Sequence, residues 1–264
     1  MAIDFKGTST IVRMAVDPPL DHLPSISVAF WMNLADVSGT DYVYVHFDAG
    51  ATKYHRIYLS GTSFMTFVHS HTLGEATAQT GSIAGLIGQW THVVCRCDGN
   101  DSPRAPDVLF DGVDVTASRT STSGVVRTTD GQLSIAAEGT ENHLNARLAD
   151  FAIFDRALTD QEVRTLYSGR LRAAGLAPVL HLPFDGEEGD EIAGGEIGIT
   201  DTSGYGNHID GGSLINRSEI TRDPPLHWPV DPEALAFAGR ATRNSRPTMN
   251  VGSGTKLATM RRAV

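Results

Sequence analysis

LADFAIFDRALTDQEVRTLY, residues 148–167, changes its hydrophobic period halfway along, and that change decides how the chain is read. Its first part, with two preceding residues, reads as a strand, ARLADFAIF (146–154). The second part takes up helical spacing. Thr159 stands where an N-cap belongs, and Glu162 is placed to reach back as the other half of a capping box. Leu158 and Val163 are spaced for the hydrophobic staple that accompanies such a cap. This is the one helix the sequence predicts, and it is short.

Several segments on its N-terminal side read as strands. In SISVAFWMNLA (25–35), Ile26, Val28, Phe30, Met32 and Leu34 alternate onto one face, as in a half-buried strand. DYVYVHFD (41–48) sets Val43, Val45 and Phe47 against Tyr42, Tyr44 and His46. HRIYLS, SFMTFVH, QWTHVVCRCDG and QLSIAA supply further strands. VLFDGVDV (108–115) centres Asp111-Gly112 between apolar residues, a strong short-range signal for a two-residue hairpin. The 27 glycines and 12 prolines among 264 residues fit many tight connections, so the class predicted is all-β.

Composition narrows the partners. No apolar run approaches the roughly 20 residues a membrane span needs. The opening MAIDFKGTST has neither a basic start nor a greasy core, so no secretory signal is read and the chain is expected to be cytosolic when made. Cys95 and Cys97 would share a strand face at a spacing poor for a disulfide, and two thiolates alone make no zinc site. They read as reduced, with at least one buried. The net charge is −10, yet beyond Glu233 there is no acid against Arg240, Arg243, Arg246, Lys256, Arg261 and Arg262. An acidic body argues against nucleic acid, and the basic end reads as an arm.

After the helix, GRLRAAGLAP leads to a late strand, VLHLPFD (179–185). DTSGYGNHIDGG (201–212) and the proline-dense RDPPLHWPVDP follow, and nothing to Val264 is periodic. An extended C-terminal arm is expected, on the order of 80 Å when stretched.

Four of these segments, in order, resemble the laminin-G-like jelly rolls of the concanavalin A-like lectin/glucanase superfamily. ISVAFWMNLA is similar to the family's tryptophan-containing strand, and GLIGQWTHVVCRCDG to its "gqWhHva" strand. VLFDGVDV is similar to its "lyvDG" hairpin, and LADFAIFDRALTDQEVRTLY to its closing strand, turn and helix. IDFKGTS resembles a strand that normally lies some way into the domain. The family's usual opening, "wpFDeg.G....DsSGnGnhg", instead resembles LPFDGEEGDEIAGGEIGITDTSGYGNHIDGG, after the helix. A separate second domain would have about 45 residues, too few for its own core. The reading adopted is a β-sandwich over 1–215, with 179–215 supplying the strands that normally open the fold, followed by a Pro-rich exit and arm over 216–264.

The arrangement also resembles a set of tailed-phage proteins, which implies a non-enzymatic virion component. Capsid decoration or a tail role, other virion subunits as partners and a homo-oligomer on the particle are the corresponding expectations. A carbohydrate-binding module is the alternative, with Tyr42, Tyr44, Tyr54 and Tyr58 as a sugar platform or simply as packing, both left open. A glycoside hydrolase needs paired carboxylates held at fixed separation. EEGDEIAGGE (187–196) lacks strand periodicity, so no catalytic residue is expected. No cofactor is assigned. Asp185, Asp201, Asn207 and Asp210 are weak calcium candidates whose Asx-Gly context reads as turn chemistry. His69 and His71 share a strand face without a third ligand and are read as a solvated strand end. His92 is read as packing or hydrogen bonding.

Overall fold

Strand β1 (Ala2–Lys6), β2 (Val12–Ala15), β3 (Ile26–Leu34), β4 (Thr40–Phe47), β5 (Lys53–Ser60) and β6 (Phe64–His71) open the chain. They are followed by β7 (Gly74–Thr80), β8 (Trp90–Cys97), β9 (Asp107–Phe110), β10 (Val113–Asp114), β11 (Thr116–Thr120), β12 (Gln132–Ile135) and β13 (Asn145–Phe154). Helix α1 (Asp160–Ser168) precedes β14 (Leu180–Leu182), β15 (Glu191–Ile192), β16 (Glu196–Ile197) and β17 (Ile220–Thr221). The computed structural model describes residues 2–221 except 8–10, 16–19, 38, 49–52, 100–104, 128–130, 139–140, 170–174, 185–190, 193–195, 198, 206 and 208–219; only the backbone is described at 53, 54, 191, 192, 196, 197, 220 and 221. All of these belong to one contact unit, Met1–Pro229. Among the described residues no helix is long and apolar enough to cross a membrane.

Two antiparallel sheets form a sandwich. The first runs β10-β9-β8-β3-β13-β1-β17 with β14 also on β13, and the second runs β11-β7-β6-β5-β4-β12-β2. The alternation expected in β3 is observed: Ile26, Val28, Phe30, Met32 and Leu34 all face the core between the sheets. The other face of β3 is buried as well, because Ala29 packs under α1 with Leu158, Val163 and Leu166. The helix begins as its sequence predicts, with Thr159 Oγ1 accepting from Glu162 N and Glu162 Oε2 from Thr159 N. Such a cap stabilises a helix by about 1 kcal/mol. The Arg156 guanidinium beside Glu162, reinforced by the Thr159 N–H, draws its carboxyl down to about 2. Arg96 ties the helix start to β8 by donating to the Leu158 carbonyl at 2.7 Å and pairing with Asp160. Asp111 and Gly112 both take positive φ, 50° and 80°, the backbone of a two-residue hairpin turn whose twist suits its strands.

The late strand meets the first one on a shared edge. β1 covers Asn145–Leu148 of β13, while β14 pairs Leu180–Leu182 with Ile153–Phe151 further along the same strand. Asp150, at φ 51°, sits between them in a bulge. Ile220 and Thr221 lie past the boundary expected at 215 and pair with β1 at Ile3 and Ala2.

Strand β4 departs from its expected alternation. Bulges fall between Tyr42 and Tyr44 and between His46 and Phe47. One extra residue resets which side chains face inward. Val43 and Tyr44 therefore both enter the core, while Tyr42, Val45 and Phe47 cluster on the opposite side.

Candidate functional site

The outward face of the second sheet combines an aromatic pair with hydrogen-bonding side chains. Register places Arg56 and Tyr58 of β5 beside Val68 and Thr66 of β6, and those beside Thr77 and Gln79 of β7. Tyr58 is half-buried and packs on Tyr42, ring centroids 5.6 Å apart, with Val45 and Phe47 behind them. Arg56 grips Glu75 with two bonds of 2.9 Å. Gln79 Nε2 donates to Thr66 Oγ1 at 3.3 Å, and the Thr77 and Thr120 hydroxyls meet at 2.6 Å. These bonds pre-set the orientation of the groups, of which Thr66 is buried and Arg56, Thr77 and Gln79 are partly exposed. Two of the four tyrosines predicted as a platform are thus brought together. Tyr44 is not among them: the β4 bulge turns it inward to 0% exposure, where its hydroxyl lies 3.2 Å from His46 Nδ1 and burial pushes its phenol up. The side chain of Tyr54 lies outside the described residues.

Behind this face, the inward side of the same sheet carries a row of histidines. His46, His55 and His69 are fully buried and His71 is 4% exposed. Their rings succeed one another at 6.1, 4.3 and 5.0 Å. Burial, with neighbouring histidine charge adding to it, holds His55 well below the ordinary imidazole value and His69 down to about 3. The expectation of a solvated strand end for His69 and His71 is therefore corrected. Both continue the inward row begun by Met65 and Phe67, a period-two signal legible in FMTFVHSH. A third donor that sequence spacing did not offer comes from the facing sheet: donor atoms of His69, His71 and Cys97 lie within 4.8 Å of one another. Cys95 and Cys97 are both buried and form no disulfide. Burial, followed by Asp98 and Asp107, raises the Cys97 thiol to about 12.

On the outer face of the first sheet, His92 packs against Trp31 at 5.1 Å and Tyr167 at 6.1 Å, and burial takes it down to about 4. Nearby, His181 bridges Asp150 Oδ1 and the Thr202 hydroxyl, each at 2.6 Å, which ties β14 to the bulge of β13. Of the calcium candidates, Asp201 and Asn207 are described. Asp201 Oδ1 accepts from His181 N and Ser203 N, and Oδ2 from Asn207 N and the Ser203 hydroxyl. Asn207 Nδ2 donates to the Val179 carbonyl at 3.3 Å. Both side chains thus fasten the turn to β14. Asp185, Asp210, Glu187 and the arm residues Arg240, Arg243, Arg246, Lys256, Arg261 and Arg262 lie outside the described residues.

The sequence profile described as the concanavalin A-like lectin/glucanases superfamily matches residues 6–164. No curated protein sequence matches the chain. Among solved structures, a candidate carbohydrate-binding protein from Bacteroides ovatus is similar, with a TM-score of 0.60 and 14% identity over 86% of this chain and 62% of that one. This chain therefore spans less than two thirds of that protein's length. A heptameric SAP-like pentraxin from Limulus polyphemus aligns with a TM-score of 0.40, 18% identity, and 63% and 81% of the two chains. The ligand-binding domain of botulinum neurotoxin serotype D, solved with N-acetylneuraminic acid, aligns with a TM-score of 0.49, 13% identity, and 64% and 42%. At such identities the likeness is one of fold. The profile match and the two facing antiparallel sheets lead to one conclusion: this chain belongs to the concanavalin A-like lectin/glucanases superfamily.

Proposed function

We propose that this protein is a non-enzymatic carbohydrate-binding module and that its glycan lies on the outward face of the second sheet. The observation that carries this reading is the half-buried Tyr58, backed by Tyr42 and flanked by Arg56, Glu75, Thr77 and Gln79. A sugar ring has an apolar C–H face and a rim of hydroxyls. An amphipathic aromatic serves the first, and charged and amide groups with fixed directions serve the second. The fold-level likeness to a candidate carbohydrate-binding protein supports it. The test is a glycan array with the full chain. Saturable binding to a carbohydrate class is expected, with substrate recovered uncleaved. Tyr58→Ala is expected to weaken binding at least about tenfold, since covering an aromatic side chain contributes roughly 1.5–3 kcal/mol. An array without a hit ends the reading, and binding that Tyr58→Ala leaves unchanged removes this face from it.

A virion placement of the same module is the second reading, favoured by charge segregation. Six bases and no acid follow Glu233 in a chain of net charge −10. In this reading the basic segment docks on an acidic neighbouring subunit, in a capsid or tail, with repetition on the particle adding avidity. Deleting residues 238–264 is expected to abolish incorporation into particles, measured by particle composition. Full occupancy without them would discard the docking segment.

A further inference from the structure

We propose that His69, His71 and Cys97 form a buried site for a divalent transition-metal ion of the zinc class, joining the two sheets where β6 and β8 end. His69 Nε2 lies 3.3 Å from the Leu23 carbonyl, and His71 Nδ1 lies 3.4 Å from the Gly124 carbonyl, so each ring turns one nitrogen to a group that only accepts. The other two nitrogens, His69 Nδ1 and His71 Nε2, face each other at 3.2 Å. With both ring hydrogens on the carbonyl sides, these nitrogens direct their lone pairs toward one point, where a cation binds; with one ring in its other tautomer they share a single N–H···N hydrogen bond, which is the metal-free arrangement.

The geometry fits the cation. Two imidazoles bound to one tetrahedral zinc at about 2.0–2.1 Å place their nitrogens about 3.3 Å apart, and a thiolate at about 2.3 Å lies about 3.6 Å from each. The observed 3.2 Å between the nitrogens meets the first requirement. Cys97 supplies the third donor within 4.8 Å. Imidazole with thiolate is a donor set for zinc-class ions and a poor one for calcium or magnesium. The carbonyls of Leu23 and Gly124 hold the two rings as outer partners of metal-bound histidines characteristically do. Binding breaks the Cys97 S–H bond, forms a sulfur–metal bond and releases the proton to solvent. His69 and His71 come from the second sheet and Cys97 from the first, so the ion acts as a clasp across the core.

The experiment uses the full chain, stripped with a chelator and titrated with Co²⁺ as a coloured stand-in for Zn²⁺. Uptake of one equivalent is expected, with visible d–d bands, a near-ultraviolet thiolate-to-cobalt band, and loss of both on adding Zn²⁺. Cys97→Ala is expected to remove the thiolate band, while Cys95→Ala, on the same strand, keeps it. His71→Gln is expected to weaken retention at least roughly 100-fold, beyond the range for outer partners. If circular dichroism shows that Cys97→Ala does not fold, His71→Gln and the wild-type thiolate band decide. Absence of stoichiometric cobalt in the wild type, a thiolate band indifferent to Cys97, or unchanged retention in His71→Gln would overturn the proposal.

Discussion

Replacing Phe151 by alanine is expected to lower stability by about 3–5 kcal/mol, the range for emptying an aromatic site in a packed core. Phe151 is fully buried in the bulge of β13, stacked on Phe30 at 5.9 Å and close to Tyr44 at 6.2 Å. Phe30 belongs to the first sheet and Tyr44 to the second, so the ring fills the space across the sandwich. The cavity cannot easily close, because β13 is held by β3 on one side and by β14, through Leu182 opposite Phe151, on the other. Urea unfolding should show a lower midpoint at unchanged slope. Phe151→Leu, which keeps most of the volume, should lose less than about 1.5 kcal/mol. A loss below about 1 kcal/mol for Phe151→Ala would mean that the sheets do not meet at this ring.

Asp201→Ala is expected to cost about 3–4 kcal/mol. The carboxylate is 4% exposed and receives three backbone N–H groups and one hydroxyl. Alanine leaves the buried amides of His181 and Asn207 without acceptors, at about 1–3 kcal/mol each. β14 would lose the turn that holds it. The same residue shapes the acid limb of stability. Burial pushes its carboxyl up, but the bonds from His181, Ser203 and Asn207 outweigh this and leave it below the ordinary aspartate value. A carboxyl depressed in the folded state stabilises fully above its unfolded value, about 3.9, and the contribution is lost as pH falls through the lower folded value. Stability measured from pH 6 downward should therefore fall less steeply in Asp201→Ala than in wild type, over roughly the same acidic window. An identical pH slope in both proteins would show that Asp201 is not the anchor of this turn.

Features that depend on neighbouring residues were legible in the chain. The Thr159–Glu162 cap, the Leu158–Val163 staple, the Asp111-Gly112 turn and the inward row of β3 each follow from side chains a few positions apart. The resemblance of four segments, in order, to the strands of a known family is what implied the sandwich. Local pattern failed where one extra residue intervened: a bulge in β4 moved Tyr44 from the predicted platform into the core and left the buried Tyr42 and the half-buried Tyr58 as the pair on the opposite side of the sheet.

What the amino-acid order determined by itself was the strands β3 to β6, β8, the β9–β10 hairpin, β12, β13 and β14, and the single α-helix among the described residues, whereas β2, β7 and β11, short or largely polar, were settled by pairing. Packing alone decided which faces meet. The meeting of His69 and His71 with Cys97, and the sharing of one edge of β13 by the first strand and β14, are contacts between distant segments. Periodicity records only which way a side chain points from its own backbone. What it points at depends on how two sheets register across their common core, which is set by filling that core without gaps or unpaired polar groups.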